Sequence, residues 1–317
     1  MDLNKYKALN LFELIQDKES KIEWVVDGLI PKDEPSIIYG KGEQFKSAVV
    51  LNICMNVQEG LPVAGLKTQQ MRVLWLALEG HRDIAPRIVA HQYHYGESEL
   101  TQIWAITKTS FTFGDKEDEA HLYEAIKSVK AELVVIDTLS YAVDGDISTG
   151  NTPGIVTRQM RKMCDDLGIS LIVIAHSGKD ITRGIKGASE FFNNMPCVIL
   201  INNGSLELKK MRSSQSGKTL KFSTRIIDTD LGESFCIEWD KNSRLDVILD
   251  SFDKLSNGSS EVTKKELSNK VYERYPGKSK DSHRTQFNRD LETLNETKKL
   301  IVSSDLIKRN TDEHTNY

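Results

Sequence analysis

A chain of 317 residues with 39% hydrophobic and 28% charged side chains has the length for one large α/β domain and a small second one, and should bury a core and stay soluble. Its net charge of −4 excludes a basic nucleic-acid coat, but the charge is uneven: from Lys254 onward 13 Lys and Arg face 10 Asp and Glu, which leaves −7 on the residues before. Four scattered cysteines and a charged N-terminus, with no apolar run of about 20 residues, point to buried free thiols in a cytoplasmic protein with no signal peptide and no membrane span.

Apolar residues at helical spacing (Leu9, Leu11, Phe12, Leu14, Ile15) predict a short helix over 6–17. Strands and helices then alternate. "SIIYG" reads as a strand and 46–59 as a helix; "RVLWLALEG" is a strand with a nearly continuous apolar run, followed by a helix over 84–95. "IWAIT", a helix over 117–130, "AELVVIDTLS", a helix over 153–167, "SLIVIAHSG" and "CVILIN" continue the series. "GSLELKKMR", "LKFSTRIIDTD" and "SFCIEWD" read as an antiparallel edge. The expected fold class is therefore α/β, with a mostly parallel sheet covered by helices on both faces, whose ligands bind beyond the carboxyl ends of the strands. Residues 251–260, "SFDKLSNGSS", read as a linker to a small domain of two helices and a β-ribbon.

The most telling stretch is "IIYGKGEQFKSAVVLNI". Gly40, four residues (Lys41, Gly42, Glu43, Gln44) and then Phe45-Lys46-Ser47-Ala48 come close to a phosphate-binding loop, with Phe45 where the usual pattern has glycine. Such a loop offers backbone N–H groups and a helix N-terminus to phosphate oxygens; Lys46 would reach the β and γ phosphates of ATP and the Ser47 hydroxyl would bind Mg²⁺. Asp137 ends a buried strand, as the residue that holds Mg²⁺ does in P-loop ATPases. Glu79 ends another and could act as general base on water. His176 ends a third, within reach of a γ-phosphate. Each alone is as easily a turn residue or an incidental histidine; the ordered set is what points to a nucleotide site.

Together with the lead-in "IEWVVDGLIPKDEPSIIYG", the strands "VLWLALEG" and "VVIDTLS" and the segment "AHSGKDITRGIKGAS", these motifs resemble, over residues 22–240, the RecA-like ATPases of the RepA type, plasmid and phage replicative helicases related to DnaB. That family includes members with Phe-Lys-Ser in the loop. The resemblance implies a RecA-like P-loop NTPase domain over 22–250, preceded by an N-terminal arm (1–21); beyond the linker the pattern Thr263–Leu267, Arg284–Leu294 and "KKLIVSSDLIKRN" resembles by itself a winged-helix domain over 261–317. The RepA-type resemblance also implies a homo-oligomeric, hexameric ring acting on single-stranded DNA, with a primase or loader among its partners. "LELKKMRSSQSG" is similar to the Lys-x-Arg hairpin of DnaB-type helicases, so Lys210 and Arg212 would reach the nucleotide of the next subunit. Lys179, Arg183 and Lys186, in a glycine-rich loop, would follow the DNA backbone in the channel. In the tail, Arg284 and Arg289 would face DNA, although such domains also dock proteins. Two other readings stay open: an ATPase that loads or remodels without unwinding, and a non-hydrolysing DNA-binding protein gated by ATP.

Overall fold

Residues 10–16, 21–96, 99–107, 109–145, 152–177, 188–240, 242–256, 261–273, 280–296 and 300–309 are described by the structure, a computed structural model. After α1 (Leu11–Gln16) and the small hairpin of β1 (Trp24–Val26) and β2 (Ile30–Pro31), the chain enters the alternating series. This runs β3 (Pro35–Gly40), α2 (Lys46–Glu59), β4 (Val73–Ala77), α3 (His81–Tyr95), β5 (Ile103–Thr107), α4 (Lys116–Val129), β6 (Leu133–Asp137), α5 (Thr152–Leu167), β7 (Ser170–His176), α6 (Ala188–Asn194) and β8 (Cys197–Asn202). The meander β9 (Ser205–Met211), β10 (Thr219–Thr229) and β11 (Gly232–Trp239) follows.

These strands form one nine-stranded sheet in the order β11–β10–β9–β8–β3–β7–β6–β4–β5. From β8 to β5 the pairing is parallel, and β9 to β11 extend it antiparallel, as the sequence predicts. Strand periodicity explains how the unbroken apolar runs serve two cores at once. Ile38, Trp75, Val135 and Ile172 point to the face covered by α2. Ile37, Leu74, Val134 and Val173 point to the face covered by α4 and α5. All four cysteines are free and buried. Local signals agree with the elements: Asp115 caps α4 by accepting from the N–H groups of Glu117 and Asp118, and Gly60 closes α2 in a left-handed turn.

Helix α7 (Asn242–Ser256) follows the sheet, so residues 251–256, read from their composition as the start of a linker, are helical. Its apolar residues Val247, Ile248 and Phe252 recur at helical spacing and pack in a third cluster with Leu267, Phe287 and Leu291. The intervening Asp250 and Ser251 hid this spacing. The cluster also binds together β12 (Glu261–Thr263), α8 (Lys264–Tyr272), α9 (Lys280–Glu296), β13 (Leu300–Val302) and β14 (Leu306–Arg309), whose strands pair in the order β12–β14–β13. Thr263 and Glu266 form a reciprocal capping box at the start of α8. Among the described residues no helix is long and apolar enough to cross a membrane.

Candidate nucleotide-binding site

The register of the sheet assembles the site. Gly40 pairs with His176 across β3 and β7, and Ala77 pairs with Asp137 across β4 and β6. The main-chain N–H groups of Leu78 and Glu79 donate to the Asp137 carbonyl at 2.7 and 3.2 Å, which turns the end of β4 over the end of β6. Glu79, Asp137, His176 and the loop 40–45 therefore share the carboxyl edge of the sheet, where α/β folds bind ligands. Gly40 is required by contact: a Cβ there would meet the Ile201 carbonyl oxygen at 2.3 Å.

Phe45 is the N-cap of α2 and lies in the left-handed region, with φ 58 and ψ 24. Glycine reaches that region without a steric cost, which is the physical content of the usual second glycine. Phe45 keeps the loop's geometry and adds an edge-to-face contact with Phe235 on β11, centroids 5.0 Å apart. No side chain caps this end of α2, so its first N–H groups are left for a ligand's oxygens. The neighbouring Gln44 is held by the β8–β9 turn, its Oε1 accepting from the Asn203 N–H at 2.7 Å.

Lys46 is buried; its Nζ donates to the Lys41 carbonyl at 2.8 Å and lies 3.4 Å from His176 Nδ1. A lysine ammonium can only donate, so Nδ1 accepts and the imidazole presents Nε2–H toward Glu79 Oε1, 3.6 Å away. Burial lowers the Lys46 pKa, against the opposing pull of the Asp137 and Glu79 carboxylates. Asp137 is buried too, and burial pushes its carboxyl up to about 6. The Ser47 hydroxyl donates to it and lowers the pKa, the Glu79 charge raises it, and Arg87 and Lys46 lower it.

This donor set fits a nucleotide with Mg²⁺. The uncapped helix end and Lys46 suit phosphate oxygens. Ser47 and Asp137 form a pair of oxygen donors, enough for a metal that takes one or two protein ligands and completes its shell with phosphates and water. Among the described residues no group of three His, Cys, Asp or Glu forms a closed metal cage.

Other expected residues lie elsewhere. Lys210 and Arg212 are at the opposite end of the sheet: Met211 pairs with Cys197 and Cys197 with Ser36, four residues before Gly40, or about 13 Å along the strand. Lys210 Nζ donates to the carbonyls of Phe192 and Asn193 at the end of α6, and Arg212 to that of Asn194. Neither meets the phosphate loop of its own chain. Lys179, Arg183 and Lys186 fall outside the described residues. Arg284 and Arg289 are both exposed on α9, but five helical positions put them about 140° apart. A single DNA groove cannot meet both head-on. Arg284 shares a groove of about 630 Å³ with Lys264, Lys265, Asn288 and Asp305.

Two residues of the site escaped the sequence reading. Arg87, two helical turns past Glu79 on α3, binds Asp83 Oδ2 at 3.0 Å and lies close enough to Asp137 to lower its pKa. Its spacing from Glu79 was the available signal. Phe235 carries the Arg87 guanidinium over its ring at 5.3 Å and had no signal, because β11 is far from the loop in sequence.

Fold and site together define a RecA-like P-loop NTPase domain. The AAA domain family matches residues 4–181, more than half of the chain, and the chain belongs to that family. Among solved structures, a KaiC-like protein from the archaeon Pyrococcus horikoshii OT3 is similar at 13% identity and a TM-score of 0.45, covering 68% of this chain and 93% of its own. No curated protein sequence matches significantly.

Proposed function

We propose that the chain is an ATP-driven DNA motor of the replicative-helicase kind, working as a homo-oligomeric, hexameric ring. Ser47 and Asp137 would hold Mg²⁺, which when bound would draw charge from the phosphoanhydride of ATP. Lys46 and the start of α2 hold the β and γ phosphates. Glu79 takes the proton of the attacking water, and His176, between Lys46 and Glu79, reports the presence of the γ-phosphate to the end of β7. Lys210 and Arg212 complete the site of the neighbouring subunit. Lys179, Arg183 and Lys186 follow single-stranded DNA, and a primase or loader is the expected partner class.

The observation that carries this reading is the line of contacts Lys46–His176–Glu79, 3.4 and 3.6 Å long, beside the buried Asp137 and its Ser47 partner. The distance of Lys210 and Arg212 from their own loop supports a role in trans, which would make turnover depend on assembly. The order α7–β12–α8–α9 with a terminal hairpin supports a winged helix, for which DNA is the favoured ligand through Arg284.

The test is ATP hydrolysis with and without single-stranded DNA, beside Lys46→Ala. Turnover that rises with DNA and is lost in the variant is expected. ATP binding without turnover in either condition would overturn the motor and favour an ATP-gated binding protein.

A further inference from the structure

The ribbon of β10 and β11 leaves the main sheet early. Only Thr219, Leu220 and Lys221 pair with β9, whereas Phe222–Thr229 pair with β11 alone. The rest of the ribbon is fastened to α3, the helix that follows Glu79. Tyr93 Oη donates to Asp230 Oδ2 at 3.0 Å, and His94 Nε2 lies 3.1 Å from Glu238 Oε1. Tyr95 Oη donates to the Ile237 carbonyl at 2.6 Å. On the other side Trp239 Nε1 donates to Asn52 Oδ1 at 2.7 Å, on the helix that begins with Lys46. The ribbon thus bridges the helix of the phosphate loop and the helix after the glutamate.

Phe235 stands in the middle of that bridge. One neighbour is the Phe45 ring, at 5.0 Å and 82°; the other is the Arg87 guanidinium, 5.3 Å from its centroid. We propose that Phe235 is a positioning residue of the hydrolytic site, holding the Asp83-bound Arg87 and the left-handed Phe45 at the mouth of α2 as one cluster. The ring face attracts the cation, while the Asp83 carboxylate at 3.0 Å fixes the guanidinium's remaining direction. Edge-to-face contact with Phe45 fixes the loop residue against the same ring. A leucine would fill the volume but offer no electron-rich π face to the guanidinium. The inference rests on the ATPase reading for its kinetic consequence and on the geometry alone for its structural one.

Two measurements keep these apart. In the wild type, the Arg87 side-chain protons, assigned by comparison with Arg87→Lys, should show an upfield ring-current shift and an ordered Nε–H by heteronuclear NOE. Both should disappear in Phe235→Leu and persist in Phe235→Tyr. Wild-type protein without the shift, or an Arg87 that stays ordered in Phe235→Leu, overturns the proposal whether or not the chain hydrolyses ATP. In hydrolysis, Phe235→Leu should lower kcat about ten- to a hundredfold with KM nearly unchanged. It should cost much less in an Arg87→Ala background, where only the Phe45 contact is left to lose, and Phe235→Tyr should restore turnover. A loss that appears instead in nucleotide affinity, or differs between ATP and GTP, would make the ring a base platform and refute positioning. Losses that add up in the double variant would refute it as well. Should Phe235→Leu fail to fold, the wild-type ring-current shift and Phe235→Met decide. A wild type that turns over no ATP sinks the ATPase reading, and the spectra still judge Phe235.

Discussion

Asp137→Asn, in the absence of nucleotide and Mg²⁺, offers a direct test of the electrostatics at the site. Burial raises the Asp137 carboxyl from the ordinary 3.8 to about 6. Between those values the folded chain keeps a proton that the unfolded chain has released. Stability therefore falls as pH rises through that window and stays lower above it. A rise of about two pH units, at about 1.4 kcal/mol for each, sets an upper limit of about 3 kcal/mol on the destabilisation at neutral pH. Asparagine removes the charge and keeps an acceptor for the Ser47 hydroxyl, so the variant escapes this cost. The attraction of Lys46 for the carboxylate is already contained in that net shift, so the gain lies at or below about 3 kcal/mol. Urea unfolding followed by tryptophan fluorescence, in EDTA at pH 4 to 8, should find the variant and the wild type equally stable at pH 4. The variant should become the more stable as pH rises from about 4 to 6 and keep that margin above. A difference that does not change with pH, or a variant less stable at pH 7, would refute the reasoning.

Two further outcomes follow from the same geometry. Phe45→Gly and Phe45→Ala both lose the Phe235 contact, but only alanine keeps the left-handed strain, so the glycine variant should be more stable by about 1 kcal/mol in chemical denaturation. Equal stabilities would show that the loop relaxes out of that conformation. Lys46→Ala and Arg212→Ala should each abolish DNA-stimulated hydrolysis, and mixing the two should restore part of it, because some interfaces then pair an intact loop with an intact arginine. No recovery on mixing would place Arg212 in its own subunit's chemistry and remove the trans assignment.

Much of this protein is legible in its sequence because the signals are local. The apolar runs "VLWLA", "LVVID" and "LIVIA" are each long enough to be strands and too continuous to have a wet face, so a parallel sheet under two helical layers follows from periodicity alone. Lys46-Ser47 at the start of a helix, and Glu79, Asp137 and His176 at strand ends, are likewise placed by residue type and position in the chain. The edge of the small domain was less legible: the polar residues of α7 masked an apolar spacing that only packing against Phe287 and Leu291 gives meaning. What no local pattern carries is the meeting of residues far apart in the chain. Phe45 looks like a defect in the motif until the fold sets it against Phe235, 190 positions away, and Arg87 is one helix arginine among several until β11 lays a ring beneath it. The sequence by itself determined the layers, the strand ends and the phosphate loop, since these depend on hydrophobic period and backbone propensity. Only the tertiary structure decided which charges face one another, that Lys210 and Arg212 stand away from their own loop, and that Asp137 is buried. Those depend on strand register and close packing, which act through space between segments that the chain order keeps apart.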